Sequence, residues 1–282
     1  QSGHPGRLGM IPESDPGFGA LAQRIAGRSG LDVGAYKDRC LRRRIAVRLR
    51  ACGVHTYAEY LELLDRRPEE FDKLLDALTI NVTKFFRNPE TWEWLGREAL
   101  PELMRDREGR IRIWSAGCAS GEESYTLVML CAMVLEGMHQ ADWLDRVHVD
   151  ATDIDRRSIE RTAAARYHVR AFGEAPAGAM QRFCVQLDPE HVEVKPELRR
   201  LVEVRRFDLI RERPERTYDL IVCRNVIIYF DRGAQEQLLQ SFADALVPRG
   251  ILMLGKVETL VGPARERLTM LEARERIYRR VA

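Results

Sequence analysis

The chain has 282 residues, of which 45% are hydrophobic, 31% charged and 7% aromatic. This composition is typical of a soluble globular protein with a large core, and it excludes a disordered or collagen-like chain. No stretch approaches the roughly 18 consecutive apolar residues that a membrane-spanning helix needs. The formal charge of +2 gives no overall reason to expect nucleic acid as a partner.

The six cysteines are scattered along the sequence: Cys40, Cys52, Cys118, Cys131, Cys184 and Cys223. No two of them form a CxxC pair, and the histidines are not clustered. Neither a metal site nor a disulfide framework is therefore indicated. We expect reduced thiols, a cytoplasmic protein and no bound metal.

The first 19 residues hold five glycines and three prolines, which predicts a flexible tail. Residues 20–78 have apolar side chains at helical spacing and no strand-like alternation, so they predict a small all-helical N-terminal domain. Residues 79–110 are expected to form a linker and one further helix. Residues 111–282 are expected to form a second domain.

The second domain contains short β-type runs that alternate with helix-length segments. The runs are Ile111–Ser115, Val147–Thr152, Leu201–Phe207, Tyr218–Cys223 and Gly250–Leu254. This order predicts an α/β fold with a doubly wound, mainly parallel sheet. From about residue 180 to 204, short alternating segments (RFCVQ, HVEVK and LVEV) lie too close together for helical crossovers, which predicts a small antiparallel β insertion.

A turn of small residues, AGCASG, links the first β-run to an amphipathic helix. Gly117 and Gly121 allow a ligand to approach the backbone closely, and a helix N-terminus favours an anion. The turn is neither GxGxxG nor a lysine-containing P-loop. Glu122 and Glu123 stand where a phosphate would lie, so a cationic ligand fits better; the alternative is an ordinary βα turn with two glutamates at a helix N-terminus.

The second β-run ends in ATDID. In doubly wound folds an acidic residue at this strand end accepts hydrogen bonds from ribose hydroxyls, which suggests Asp153. The alternative is that Asp153 or Asp155 caps the helix starting at Arg156, and both statements can hold, one for each aspartate. Asp208, just past the third run, could reach an adenine amino group.

The fourth β-run, YDLIVCRNVIIYF, places Arg224 and Asn225 between two hydrophobic blocks. Buried polar groups need partners, and a segment of this kind at a strand's carboxyl end is typical of a ligand-facing position. The alternative is a capped strand end with Tyr229 and Phe230 in the core.

These segments together resemble the CheR-type chemotaxis receptor methyltransferases. The motifs are NVTKFFRNPETW, WSAGCASGEESYTL, ATDID, FDLI, CRNVIIYFD and GILMLGKVETL, and the resemblance covers most of residues 20–282. It implies the Rossmann-like fold of class I methyltransferases that use S-adenosylmethionine. It also implies an enzyme that converts receptor glutamates to methyl esters and releases S-adenosylhomocysteine, without a metal.

The resemblance also implies a cofactor site, to which residues 79–110 contribute. Its expected cofactor-binding residues are Asn81, Thr83, Arg87, Gly117, Glu123, Asp153, Asp208, Leu209, Cys223, Arg224 and Asn225. Glu123 would bind the amino group and Asp153 the ribose, while Arg87 and Tyr229 would lie beside the methyl group as catalytic residues. Two positions depart from the family pattern: Asp208 replaces an asparagine, and Ser124 replaces a frequent proline.

A glutamate acceptor is ionised at neutral pH and needs no general base. We therefore expect Arg87 to orient the acceptor carboxylate, because its guanidinium can hold one or both oxygens. Tyr229 would position the methyl group or the carboxylate through its hydroxyl. The alternative for Arg87 is a surface residue in a turn before Pro89.

The segment DRCLRRRIAVRLR contains six arginines from Arg39 to Arg50 with no acidic residue among them. On a helical wheel, Arg39, Arg43 and Arg50 lie opposite an apolar stripe. A solvated face, a DNA-contacting helix and a docking surface are all compatible with this pattern. Because the rest of the chain is nearly neutral, we favour docking on acidic helices of the receptor.

Some members of this family capture a receptor's C-terminal pentapeptide on the antiparallel insertion, through a glycine-rich turn. Here the turn CVQLDPEHVEV has no glycine, and it contains Pro189 between two acidic residues. We expect a monomeric enzyme that works without this tether, does not insert into membranes and does not bind nucleic acid. Two rival classes remain: a small-molecule O- or N-methyltransferase, and a non-catalytic module that senses S-adenosylmethionine.

Overall fold

The computed structural model describes residues 17–29, 31–79 and 83–281. The chain divides into two compact units, Gln1–Ile80 and Asn81–Ala282. Residues 1–16 of the predicted tail lie outside the described part. The first helix already begins at Gly17, within the predicted tail and three residues before the expected domain start.

The described residues of the first unit form four α-helices: α1 (Gly17–Ser29), α2 (Asp38–Cys52), α3 (Tyr57–Arg66) and α4 (Pro68–Leu78), with a short 3-10 helix at Val33–Ala35. Local sequence signals set several of their ends. Gly53 adopts a left-handed conformation (φ 70°) that terminates α2. Thr56 and Glu59 form a capping box at the start of α3, and Pro68 occupies the first turn of α4.

The second unit alternates strands and helices. In chain order these are α5 (Pro89–Trp94), α6 (Leu100–Asp106), β1 (Ile111–Ala116), α7 (Glu122–Gly137), β2 (Val147–Asp153), α8 (Arg156–Ala164), β3 (Arg166–His168), α9 (Ala179–Phe183), β4 (Cys184–Gln186), β5 (His191–Val194), α10 (Pro196–Arg199), β6 (Val202–Arg206), β7 (Tyr218–Cys223), α11 (Arg232–Ala245), β8 (Leu246–Leu254), β9 (Leu268–Glu272) and β10 (Ile277–Arg280). A π-helical turn at Leu95–Ala99 joins α5 to α6.

The main sheet has seven strands in the order β6-β2-β1-β7-β8-β10-β9. Strands β6, β2, β1, β7 and β8 are parallel, whereas β10 runs antiparallel to both β8 and β9. The chain moves outward from β1 to β2 and β6, then returns to β7 on the other side. This is a doubly wound, mainly parallel sheet, and it confirms the predicted fold class.

The antiparallel insertion differs from the sequence-based prediction at both ends. It is a three-stranded sheet in the order β3-β5-β4, so it begins at Arg166 rather than near residue 180. The LVEV segment is not part of it, because Val202 opens β6 and lies opposite Val149 of β2. Short alternating runs look alike in both sheets, and only the pairing partner separates them.

A cluster of aromatic side chains packs on the central strands of the main sheet. Trp114 of β1 stacks on Tyr218 of β7 with ring centroids 5.2 Å apart, and it contacts Phe207 and Phe242 edge-on. The parallel order brings the carboxyl ends of β1, β2 and β7 to one edge, where doubly wound folds bind ligands.

None of the helices in residues 17–29, 31–79 and 83–281 combines the length and apolar character that a bilayer crossing requires.

Candidate active site

The turn after β1 is pressed closely against the segment after β7. Gly117 (φ 77°) and Gly121 (φ 94°) adopt left-handed conformations. The N–H of Gly117 donates to the Thr152 carbonyl at 2.8 Å, which joins the turn to β2. A Cβ atom at Gly117 would lie 2.6 Å from Val226 Cγ2, so only glycine fits there without displacement.

Glu123 is the glutamate of this turn that faces the arginines. Its Oε1 accepts a hydrogen bond from Ser115 Oγ at 2.9 Å. Burial raises the pKa of Glu123 to about 7, although the positive charges of Arg224 and Arg87 oppose the shift. Glu122 has different surroundings, since its carboxylate accepts from Ser120 Oγ at 2.7 Å.

The two aspartates after β2 have separate roles. Asp155 caps α8 by accepting from the N–H groups of Arg157 and Ser158, as one alternative for this pair predicted. Asp153 instead accepts from the N–H groups of Ala119 and Asp155, both at 2.9 Å. Burial raises the pKa of Asp153 to about 6, so its carboxylate lies in a desolvated position beside the β1 turn.

Asp208 stabilises the turn that follows β6. Its Oδ1 accepts from the N–H of Ile210 at 2.9 Å and from that of Arg211 at 3.3 Å. The neighbouring Leu209 is buried, and the N–H of Phe207 donates to the Asp153 carbonyl at 3.0 Å. The turn thus lies next to Asp153, and a contact of Asp208 or Leu209 with adenine stays a prediction.

Arg224 follows the fully buried Cys223 and is itself only 7% exposed. Its guanidinium donates to the Arg87 carbonyl at 3.0 Å and to Asn88 Oδ1 at 2.8 Å. It also lies 5.2 Å from the centre of the Trp92 ring. Among the described residues, its Nε has no hydrogen-bond partner. Arg224 therefore ties the segment around Arg87 to the end of β7.

The segment around Arg87 has a constrained backbone. Phe86 (φ 52°) and Asn88 (φ 61°), on either side of Arg87, adopt left-handed conformations. The N–H of Phe86 donates to Thr126 Oγ1 of α7 at 3.0 Å, and Trp92 Nε1 donates to the Arg87 carbonyl at 2.9 Å. The Arg87 side chain is half-buried rather than fully at the surface, and its charge acts on Glu123.

Two further predicted cofactor residues precede this segment. Thr83 is half-buried. Asn81 lies outside the described residues. Any contact of Thr83 or Asn81 with the cofactor stays a prediction.

A residue that the sequence analysis did not single out holds the turn after β7. Glu258 is 2% exposed, and its carboxylate accepts from the N–H groups of Asn225, Val226 and Ile227 at 2.8–2.9 Å. Burial raises the pKa of Glu258, although hydrogen bonds from the N–H groups of Gly255, Asn225, Ile227 and Ile228 oppose the shift. Its sequence signal is an acidic residue four positions after the end of an apolar strand, in GILMLGKVETL.

The same turn continues into a 3-10 helix at Ile227–Tyr229. Tyr229 is half-buried and Phe230 is buried, so Phe230 belongs to the core while Tyr229 remains partly accessible. Asn225 (φ 62°) is half-buried at the start of the turn. The structure thus brings Glu123, Arg87, Arg224 and the Tyr229 turn to one edge of the sheet.

This edge is suited to a cationic ligand that has hydroxyl groups. Two desolvated carboxylates lie at this edge, Glu123 in the first turn of α7 and Asp153 at the end of β2. Each gains from an added positive charge or hydrogen-bond donor. The residues present therefore fit the ammonium group and ribose of S-adenosylmethionine, whereas a phosphate would face negative charge. Within the described ranges, no cluster of three or more His, Cys, Asp or Glu side chains is arranged to hold a metal ion.

In the first unit, the six arginines of α2 divide into two sets. Arg39, Arg43 and Arg50 are exposed. The others face the protein: Arg42 pairs with Asp38, Arg48 pairs with Glu70, and the buried Arg44 donates to the Leu78 carbonyl. The helix therefore presents three exposed arginines, as the helical wheel predicts.

Each of the two units matches a model of a known protein family. The family model "CheR methyltransferase, all-alpha domain" matches residues 16–79, and "CheR methyltransferase, SAM binding domain" matches residues 81–277. The chain belongs to the CheR methyltransferase family. This confirms the family that the sequence motifs resemble.

Relatives within the CheR family match the chain over most of its length. A chemotaxis protein methyltransferase of Listeria monocytogenes is 31% identical over 90% of this chain and 94% of its own. That of Salmonella typhimurium is 32% identical over 90% and 87%. Among solved structures, the N-methyltransferase NodS of Bradyrhizobium japonicum is 16% identical with a TM-score of 0.38, and it covers 70% of this chain and all of that one.

Proposed function

We propose that this protein transfers a methyl group from S-adenosylmethionine to glutamate side chains of a chemotaxis-type receptor. The products are glutamyl methyl esters and S-adenosylhomocysteine. The observation that supports this most is the pair of desolvated carboxylates, Glu123 and Asp153, in a CheR family fold, with Glu123 near the charges of Arg87 and Arg224.

S-adenosylmethionine supplies a methyl group on a positively charged sulfur, and in-line attack moves that methyl to an oxygen nucleophile. Glu123 binds the cofactor's ammonium group and Asp153 binds its ribose. Arg87 holds the acceptor carboxylate, which is already ionised at neutral pH, and Tyr229 orients it through the phenol hydroxyl. The remaining expected contacts, from Asn81, Thr83, Asp208, Leu209 and Cys223, position the cofactor.

The receptor is recognised through α2. Arg39, Arg43 and Arg50 form an exposed basic face, and an acidic helical surface of the receptor complements it. The protein acts in the cytoplasm as a monomer, and it requires neither a metal nor nucleic acid.

The antiparallel insertion does not capture a receptor peptide. Asp188 stabilises the turn between β4 and β5, because its Oδ1 accepts from the N–H groups of Glu190 and His191 at 2.8 and 2.9 Å. A closed turn without glycine gives a peptide little access to the backbone, and the exposed acidic side chains disfavour an acidic peptide.

The decisive experiment is incubation with methyl-labelled S-adenosylmethionine and receptor-containing membranes, followed by mild alkali. A carboxyl methyl ester releases volatile labelled methanol, so this release is the expected result. Label that stays on protein after alkali would contradict the proposal. Label found only on small molecules before the alkali step would also contradict it. Binding of the cofactor without any transfer would favour the sensing module instead.

A further inference from the structure

Glu258 connects two loops at the edge of the sheet where the cofactor site lies. It follows β8, and its own N–H donates to the Gly255 carbonyl at 2.8 Å. Its Oε2 accepts from the N–H groups of Gly255 at 2.6 Å and Asn225 at 2.9 Å, and its Oε1 from those of Val226 and Ile227. One buried carboxylate thus accepts at least four backbone hydrogen bonds.

The turn that Glu258 holds has little room to move. A Cβ atom at Gly255 would lie 2.8 Å from the Asn225 nitrogen, and one at Gly117 would lie 2.6 Å from Val226 Cγ2. Asn225 is in a left-handed conformation, which directs consecutive N–H groups to one side, as in backbone sites for anions. Without the carboxylate, these partly or fully buried N–H groups would lose their acceptor.

The residues on both sides of this turn belong to the proposed reaction. Arg224, directly before it, donates to the Arg87 carbonyl and to Asn88. Tyr229, directly after it, ends the 3-10 helix that begins at Ile227. A shift of the turn therefore moves both groups expected beside the methyl group.

We propose that Glu258 is a positioning residue for methyl transfer, which fixes Tyr229 directly and Arg87 through Arg224. This inference rests on the proposed function. Among the groups expected to bind the cofactor, the Glu123 and Asp153 carboxylates accept hydrogen bonds from Ser115 and Ala119, whereas Asn225 donates its N–H to Glu258. The charge of Glu258 also acts on Glu123. Because the hydrogen bonds that hold Glu123 and Asp153 do not involve Glu258, loss of its carboxylate should reduce turnover more than cofactor affinity.

The test compares Glu258→Gln with Asp219→Asn in the full chain. Asp219 is a matched control because it is also a buried carboxylate, 5% exposed, at the other end of β7. It accepts from the Arg112 N–H at 2.9 Å and pairs with Arg107 at 2.7 Å. Glutamine replaces one acceptor oxygen by an NH2 group, which faces N–H donors and cannot pair with them.

We expect Glu258→Gln to lower kcat by about 100-fold, as a displacement of about 1 Å in a catalytic group does. The Kd for S-adenosylmethionine, measured by calorimetry, should change much less than kcat. Asp219→Asn should retain kcat even if it lowers the melting temperature. Equal loss of kcat in both variants, or parallel losses of kcat and affinity in Glu258→Gln, would overturn the proposal.

Hydrogen exchange gives a second readout that does not depend on activity. In Glu258→Gln, the amides of residues 225–227 should exchange faster than in the wild type, whereas Asp219→Asn should leave them unchanged. Unchanged exchange at these amides would overturn the positioning role. If the wild type methylates no receptor glutamate, the proposed function fails, and the exchange result then still decides whether Glu258 fixes the turn.

Discussion

Glu123 is a half-buried residue, and the pKa of its carboxyl group, raised to about 7, lies in the range where the enzyme would work. The cofactor's ammonium group binds the ionised form. Below pH 7 the free protein holds a proton on Glu123 that must leave when the cofactor binds, so affinity should fall as the pH falls. One pH unit below the pKa of Glu123, the Kd for the cofactor should be about tenfold higher.

Calorimetry at pH 8 and pH 6, in buffers of different ionisation enthalpy, measures both the affinity and the released proton. Glu123→Gln should bind more weakly at pH 8 and should lose most of this pH dependence. Protonation of Asp153, whose pKa is about 6, should decrease the cofactor affinity further only at lower pH. An affinity that is independent of pH from 6 to 8 would contradict the assignment of Glu123 to the ammonium group.

Arg87 is expected to contact the acceptor carboxylate during transfer. Arg87→Ala should therefore lower kcat/KM by about 10- to 100-fold, the value of one or two hydrogen bonds to a charged group, and should change cofactor affinity much less. Arg97→Ala is the control, because Arg97 is 73% exposed and pairs only with Glu98 among the ion pairs of residues 83–281. Equal losses of turnover and affinity would make Arg87 a cofactor ligand instead.

At the scale of elements, the β1 turn depends on Gly117. Alanine there would have φ 77° and a Cβ 2.6 Å from Val226. Gly117→Ala should lower the free energy of unfolding by at least about 1–2 kcal/mol, the strain of a left-handed alanine. It should also weaken cofactor binding. Denaturant unfolding measures the first effect, and Gly109→Ala, where a Cβ meets nothing within 4 Å, should be close to neutral.

The exposed face of α2 gives a second prediction at this scale. Charge reversal by Arg43→Glu and Arg50→Glu should slow receptor methylation strongly, and raised salt should slow the wild type in the same way. The Kd for S-adenosylmethionine should not change. Arg66→Glu is the control, since Arg66 is 73% exposed on α3. A small-molecule methyltransferase would keep its rate in all three variants.

At the scale of the whole molecule, the sequence predicts the architecture better than the pairing. Buried parallel strands such as Tyr218–Cys223 are continuous apolar runs, and the structure has this strand at the predicted bounds. β3 is only three residues long and pairs with a strand more than twenty residues away, so no local pattern reveals it. Strands β9 and β10 were not predicted either, because their pairing is again set by distant residues.

The candidate site shows the same limit. Glu123, Asp153 and Arg224 follow from the rule that the segments after parallel strands meet at one edge, whereas Arg87 follows from the resemblance to the CheR family. Glu258 does not, because its importance comes from N–H groups about 30 residues earlier in the chain. Asp208 is the opposite case, because its partner is local. The sequence suggests a contact with adenine, and the structure shows that its carboxylate accepts from the Ile210 N–H of its own turn. Sequence patterns indicate which residues are polar and buried, whereas tertiary contacts determine their partners.

Recognition of the receptor by the whole molecule should depend on α2 and not on the insertion. A receptor lacking its last five residues should be methylated at the same rate as the intact receptor, because the turn closed by Asp188 and lacking glycine offers no open edge to a peptide. Titration of the full chain with a C-terminal pentapeptide of the tethering type should show no binding at millimolar concentration. Micromolar affinity, together with slower methylation of the truncated receptor, would show that the insertion captures the receptor after all, and the α2 charge reversals would then have a smaller effect than expected.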